Sequence, residues 1–238
     1  MFLWGLWIDP LYIVLFIATL LISGAAQLYI RSQFGKWSGV RNSAGLAGVQ
    51  VGERLVRDVD FGGSRGSATG ISFKVVPGDL SDHFDPRSKE VGLSQEVASR
   101  DSVAAMAVTA HEVGHAQQDA EGTVAMRARA FLVPAVTFSP TVSYLLIFVG
   151  LIFNLTGLFW LGIIVFGLMV VFSVLTLPVE IGASRRALVM LRETGLMTSE
   201  QDEQGVKHVL TAAAMTYVAA AVTSILTLLY YLSIARRS

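Results

Sequence analysis

Residues 130–179 contain no Asp, Glu, Lys or Arg. A bilayer crossing needs about 20 apolar residues, so this uncharged run of fifty is too long for one span and suits two. Asn154, Leu155, Thr156 and Gly157 make a minimal turn, which puts the spans near 133–153 and 158–178. A hydrophobic hairpin buried in a soluble core does not account for a run of this length. Only 15% of the chain is charged, against about 25% in an ordinary soluble domain. The expected class is therefore a mainly α polytopic membrane protein with about four transmembrane helices.

The other two spans lie at either end. Residues 11–30 run without a charge for the length of a bilayer crossing. Ser23-Gly24-Ala25 loosely resembles a signal-peptide cleavage site, but there is no basic n-region, and the apolar run exceeds the usual h-region of about 7–15 residues. An uncleaved anchor is expected, with Trp4 and Trp7 in the interface. Arg31, Lys36 and Arg41 follow at once and mark that flank as cytoplasmic. Residues 210–235 form the last span, rich in small residues suited to close helix contact. Arg236 and Arg237 then fall on the outer side, against the charge rule, although the cytoplasmic segments hold far more basic residues. The expected organisation is an anchor (1–30), a polar region (31–130), a transmembrane hairpin (131–179), a second polar segment (180–209) and a final transmembrane helix (210–238). Both polar segments then face one compartment.

Within the first polar region, residues 43–56 read as a helix weakened by glycines and 58–70 as a Gly/Ser-rich loop. Residues 71–76 alternate like a strand, 81–86 read as a turn, and Glu90–Ser94 as a second strand. Residues 95–99 start a helix. Residues 101–120 form the main one, capped by Asp101 or Ser102.

That helix carries His111-Glu112-Val113-Gly114-His115. Residues four apart share a helix face, so His111 and His115 can put two imidazoles on one metal ion. Glu112 beside them can accept a proton from a metal-activated water. The chain has no cysteine, so thiolate sites are excluded and any metal must use His and carboxylate donors. Zinc suits this chemistry, with three protein donors and one position open. Gly114 lets another element or a substrate approach the helix closely.

Two histidines do not complete such a site. The extended metzincin pattern fails, because Gln118 and Glu121 stand where it needs Gly and His. Glu180 is the strongest remaining donor, a carboxylate at the end of a span. His208, Glu121 and the Asp82-His83-Asp85 cluster stay open as alternatives.

Several stretches in order carry a family resemblance: Asp82-His83-Phe84-Asp85-Pro86, Leu93-Ser94, Ser102 through Ala105, His111 through Ala116, Leu177-Pro178-Val179-Glu180 with Ala183 through Leu188, and Ala212-Ala213-Ala214 with Thr216 through Ala221. Together they make the chain similar, over nearly its whole length, to the YugP-like neutral zinc metallopeptidases of bacterial membranes. More distantly it resembles membrane peptidases of the HtpX type. The resemblance implies a small α+β zincin-like domain and a gluzincin-like site. It carries over as one Zn2+ per chain held by His111, His115 and Glu180, with Glu112 as general base. The family pattern usually has Asp where this chain has Gly182. In zinc peptidases of this design an edge strand often binds the substrate backbone, and Glu90–Ser94 is the expected one. His83, Tyr217 and Arg185 are candidates for contacting the transition state or substrate.

The expected function is a membrane-embedded zinc endopeptidase in a bacterial inner membrane, with its site on the cytoplasmic side. Its partners would be protein or peptide substrates, membrane proteins among them, and the bilayer. Zero net charge gives no hint of nucleic acid. A zinc-binding assembly or chaperone-like protein is the alternative, but it would not need Glu112. A transporter is disfavoured because none of the expected spans contains an Asp, Glu, Lys or Arg.

Overall fold

The computed structural model describes residues 9–236, so Trp4, Trp7 and Arg237 lie outside the described residues. The chain is mainly helical with a small sheet. Its elements are α1 (Pro10–Ser38), α2 (Gly48–Asp58), β1 (Ser72–Val76), β2 (His83–Asp85), β3 (Glu90–Ser94), α3 (Gln95–Ser99), α4 (Val103–Ala120), α5 (Val124–Ile152), α6 (Thr156–Glu193) and α7 (Glu200–Ala235). Helices α1, α5, α6 and α7 are long and apolar enough to cross a membrane.

The chain divides into two units. One comprises the chain through residue 27, residues 128–177 and residues from 216 on; the other comprises 28–127 and 178–215. In the first, α5 and α6 form the expected hairpin. The chain reverses through Asn154, whose φ of 54° is left-handed, a conformation Asn tolerates better than most residues. Ile147, Phe159, Ile163 and Ala235 make a buried cluster here, and the Ser143 hydroxyl donates to the Gly162 carbonyl at 3.0 Å.

The second unit is built around α4. Fourteen of its eighteen residues are buried, so it is a core helix rather than an amphipathic one. Five of the residues from Val103 to Ala110 are alanines or otherwise small, which lets neighbours approach on every side. Ser102, rather than Asp101, caps its start: its hydroxyl accepts from the Ala105 N–H at 3.1 Å. Val51 and Leu55 of α2, Met190 and Leu191 of α6, and Val206 and Leu210 of α7 pack with Val103, Met106 and Val113 in one core. A second cluster joins Val91 and Leu93 of β3 to Val97, Ala98 and Ala105.

The sheet departs from expectation in two ways. Residues 81–86 are not simply a turn, because His83, Phe84 and Asp85 form β2, antiparallel to β3. A three-residue strand ending at Asp85-Pro86 is too short for its alternation to be read. The strand order is β1-β3-β2, with β1 parallel to β3. Glu90–Ser94 is therefore the central strand, with Val91 and Leu93 fully buried, and it has no free edge for substrate. The helices also outrun the expected spans. Helix α6 continues through Pro178 and Glu180 to Glu193, and α7 begins at Glu200. Glu180 thus sits inside a continuous helix rather than at the end of one.

Candidate metal centre

Three side chains converge in the second unit. His111 Nε2 lies 3.2 Å, and His115 Nε2 3.3 Å, from Glu180 Oε2. All three residues are buried and their donor atoms lie within 4.8 Å of one another. Helix α4 supplies the two histidines one turn apart, their rings meeting edge to face at 84°. Helix α6 supplies the carboxylate.

Gly114 makes the meeting of these helices feasible. A Cβ at this position would come within 2.6 Å of the Ala183 carbonyl oxygen, so α4 and α6 touch backbone to side one turn beyond Glu180. The glycine of the motif admits another element of the protein. Farther along, Arg186 of α6 forms a paired ion bond with Glu121, at 2.7 and 2.6 Å, and reaches Gln117 at 3.1 Å. Ion pairs this exposed contribute about 0–1 kcal/mol. Full burial of a side chain like Met190 or Leu191 contributes about 1.5–3 kcal/mol. Apolar packing therefore holds α6 against α4, and Arg186 refines its register.

The donor set fits zinc. A tetrahedral site with arms of about 2.0–2.1 Å has edges of about 3.3–3.4 Å, close to the two separations between histidine nitrogen and carboxylate oxygen. The outer ring nitrogens are occupied elsewhere: His115 Nδ1 lies 3.1 Å from Gln118 Oε1, and His111 Nδ1 lies 3.2 Å from Ser184 Oγ. Both Nε2 atoms are thus left to face Glu180, as in zinc sites whose histidines are oriented through their second nitrogen.

Glu112 is buried beside the cluster. Burial pushes its carboxyl up to about 7; His111 opposes the shift and Glu180 and Asp82 add to it. His83 opposes the shift to a smaller extent. It sits exposed on β2 with Nδ1 2.8 Å from the Ser81 carbonyl. Asp82 accepts from the Ser94 N–H at 2.7 Å and burial raises its pKa.

The other candidates take different places. Glu121 pairs with Arg186, His208 stacks on Trp37 at 6.0 Å between ring centroids, and Asp85 accepts from the Arg87 N–H at 2.8 Å. Arg185 is exposed on α6, while Tyr217 is half-buried and belongs to the first unit. Sequence reasoning missed Gln118, Ser184 and Arg186 as partners. Only Gln118 left a trace, as the residue at which the extended motif breaks.

Residues 12–236 match the family described as "Putative neutral zinc metallopeptidase". The chain is 39% identical over 224 residues to "Putative membrane protease YugP" of Bacillus subtilis (strain 168), covering 94% of this chain and 96% of that relative. No solved structure matches the chain. The family match runs through almost the whole chain, and the protein belongs to the family so described.

Proposed function

We propose that this protein is a membrane-embedded endopeptidase that holds one zinc through His111, His115 and Glu180 and uses Glu112 as general base. The observation that carries the reading is the convergence of two imidazole nitrogens on one carboxylate oxygen, at 3.2 and 3.3 Å, with Glu112 buried next to them. Zinc, when bound, lowers the pKa of a water to about 7 and polarises a carbonyl. The Glu112 carboxylate takes a proton from the attacking water and returns it to the departing amine nitrogen. Buried surroundings keep competing solvent from that carboxylate. Strand β2 is the antiparallel edge of the sheet, so its backbone is available to an extended substrate as an added strand. His83 lies on that strand and is the best of the three candidate substrate contacts; Tyr217 and Arg185 have no comparable support.

The substrates are proteins or peptides, including loops of membrane proteins. Arg31, Lys36 and Arg41 after the first span, and Arg185, Arg186, Arg192 and Lys207 in the second polar segment, support a cytoplasmic site in an inner membrane. The test is peptide hydrolysis by purified wild type and Glu112→Gln, each with its zinc content measured. Loss of cleavage with zinc retained is expected. Equal cleavage by both would overturn the role of Glu112.

A further inference from the structure

Gln118 stands one turn beyond His115 on α4 and is 4% exposed. A primary amide this deeply buried must find its partners within the protein. Its Nε2 lies 2.8 Å from the Val179 carbonyl oxygen and its Oε1 lies 3.1 Å from His115 Nδ1. The chemistry leaves one arrangement. A backbone carbonyl only accepts, so the amide nitrogen must face Val179. The amide oxygen therefore faces His115, and because that oxygen cannot donate, His115 Nδ1 must carry the proton. A neutral imidazole has a single N–H. In the neutral imidazole that a metal requires, Nε2 is then the lone pair, on the side of Glu180 Oε2 at 3.3 Å.

We infer that Gln118 is the positioning residue of the metal centre, setting the tautomer of His115 through its oxygen and tying down the helical turn that presents Glu180 through its nitrogen. Val179 immediately precedes Glu180, so one amide links two of the three donors across α4 and α6. This extends the zinc-peptidase reading above and rests on it for its consequence, metal affinity.

Gly182 makes room for the amide. A Cβ there would come within 2.6 Å of Gln118 Nε2, and no real Cβ contact is that short. Gly182 and Gln118 are therefore one device, in which the missing side chain on α6 is the space the amide fills. His111 has no equivalent. Its outer nitrogen meets the Ser184 hydroxyl at 3.2 Å, and a hydroxyl both donates and accepts, so it selects neither tautomer.

The experiment uses the full chain in detergent and two readouts. The first is the ¹⁵N imidazole spectrum of the metal-free protein. Wild type should show His115 as the Nδ1–H form, and the near-isosteric Gln118→Met should shift it toward Nε2–H. The second is zinc affinity by competition with a chelator. Gln118→Met, Gln118→Ala and Gly182→Ala should each weaken zinc by about 10–100-fold, the usual effect of losing a partner that orients a ligand. Gly182→Ala keeps every hydrogen-bonding group, so its loss reports displacement of the amide alone. The double variant Gln118→Ala/Gly182→Ala should bind zinc no worse than Gln118→Ala, because the amide that Gly182 accommodates is already gone. An unchanged tautomer in Gln118→Met, or losses that simply add in the double variant, would overturn the inference. A wild type that binds no zinc but shows His115 as Nδ1–H would instead overturn the peptidase reading and leave the tautomer assignment standing.

Discussion

The two units solve the burial of polar groups in opposite ways. In the unit of residues through 27, 128–177 and from 216 on, α5 and α6 carry long uncharged runs, and large apolar side chains such as Phe138, Phe148, Ile164 and Val171 point outward. Hydroxyls there mostly return to their own helix, as Thr137 does to Val133 and Thr223 to Ala219. In the unit of residues 28–127 and 178–215, buried polar side chains are paired across long sequence separations. Gln118 reaches Val179, Glu180 meets both histidines, and Asp202 takes both the N–H and the hydroxyl of Ser43. Solvation explains the contrast. Hydrocarbon offers a polar group nothing, so local helical bonds serve. A water-facing domain can fix a few buried polar groups in exact relation and use them for chemistry.

The contrast can be broken at either end. The largest effect expected is from Glu112→Gln, which should lower peptide hydrolysis by roughly 10²–10⁴-fold with zinc content and helicity unchanged, as read from a turnover assay and circular dichroism. In the apolar unit, Ile164→Arg should cost about 2.5–3.5 kcal/mol of insertion free energy, measured with a glycosylation reporter of membrane integration. Ile164→Leu at the same exposed position should stay within about 0.5 kcal/mol. Comparable losses from both would show that packing, not hydrocarbon, surrounds this residue.

Gly114→Ala sharpens the comparison from the other side. The added methyl meets the Ala183 carbonyl, and overpacking of this kind costs about 1–3 kcal/mol. Thermal unfolding in detergent should show the loss, together with weaker zinc. Unaltered stability would mean that α6 does not need that close approach. The smallest effect is expected from Ser184→Ala. One net hydrogen bond contributes about 0.5–1.5 kcal/mol, so zinc affinity should fall by no more than roughly tenfold, and by less than in Gln118→Met.

Legibility in the sequence follows the same division. The hairpin of α5 and α6 was readable because hydropathy is one-dimensional: the 130–179 run needs no knowledge of what lies beside it. His111 and His115 were readable because helical spacing alone puts them on one face. Glu180 stood out as a carboxylate where the apolar run stops, although its helix continues to Glu193. Strand β2 was lost because three residues carry no pattern. Glu90–Ser94 is not an edge because β2 pairs along its other side, and a strand that leaves no pattern cannot be counted. Gln118 was read only as a break in a motif, since its partner is a backbone carbonyl 61 residues away, and a backbone carbonyl leaves no mark in a sequence. Arg186 grips Glu121, 65 residues away in the chain, a pairing that no spacing rule reveals.

The most direct test is the zinc content of the folded wild type beside Glu180→Ala, both purified from zinc-replete cells and checked for equal helicity. The account predicts about one zinc per wild-type chain and a clear loss in the variant. Folded wild type without zinc, or a variant that keeps its zinc, would contradict the His111, His115 and Glu180 centre on which the proposed chemistry depends.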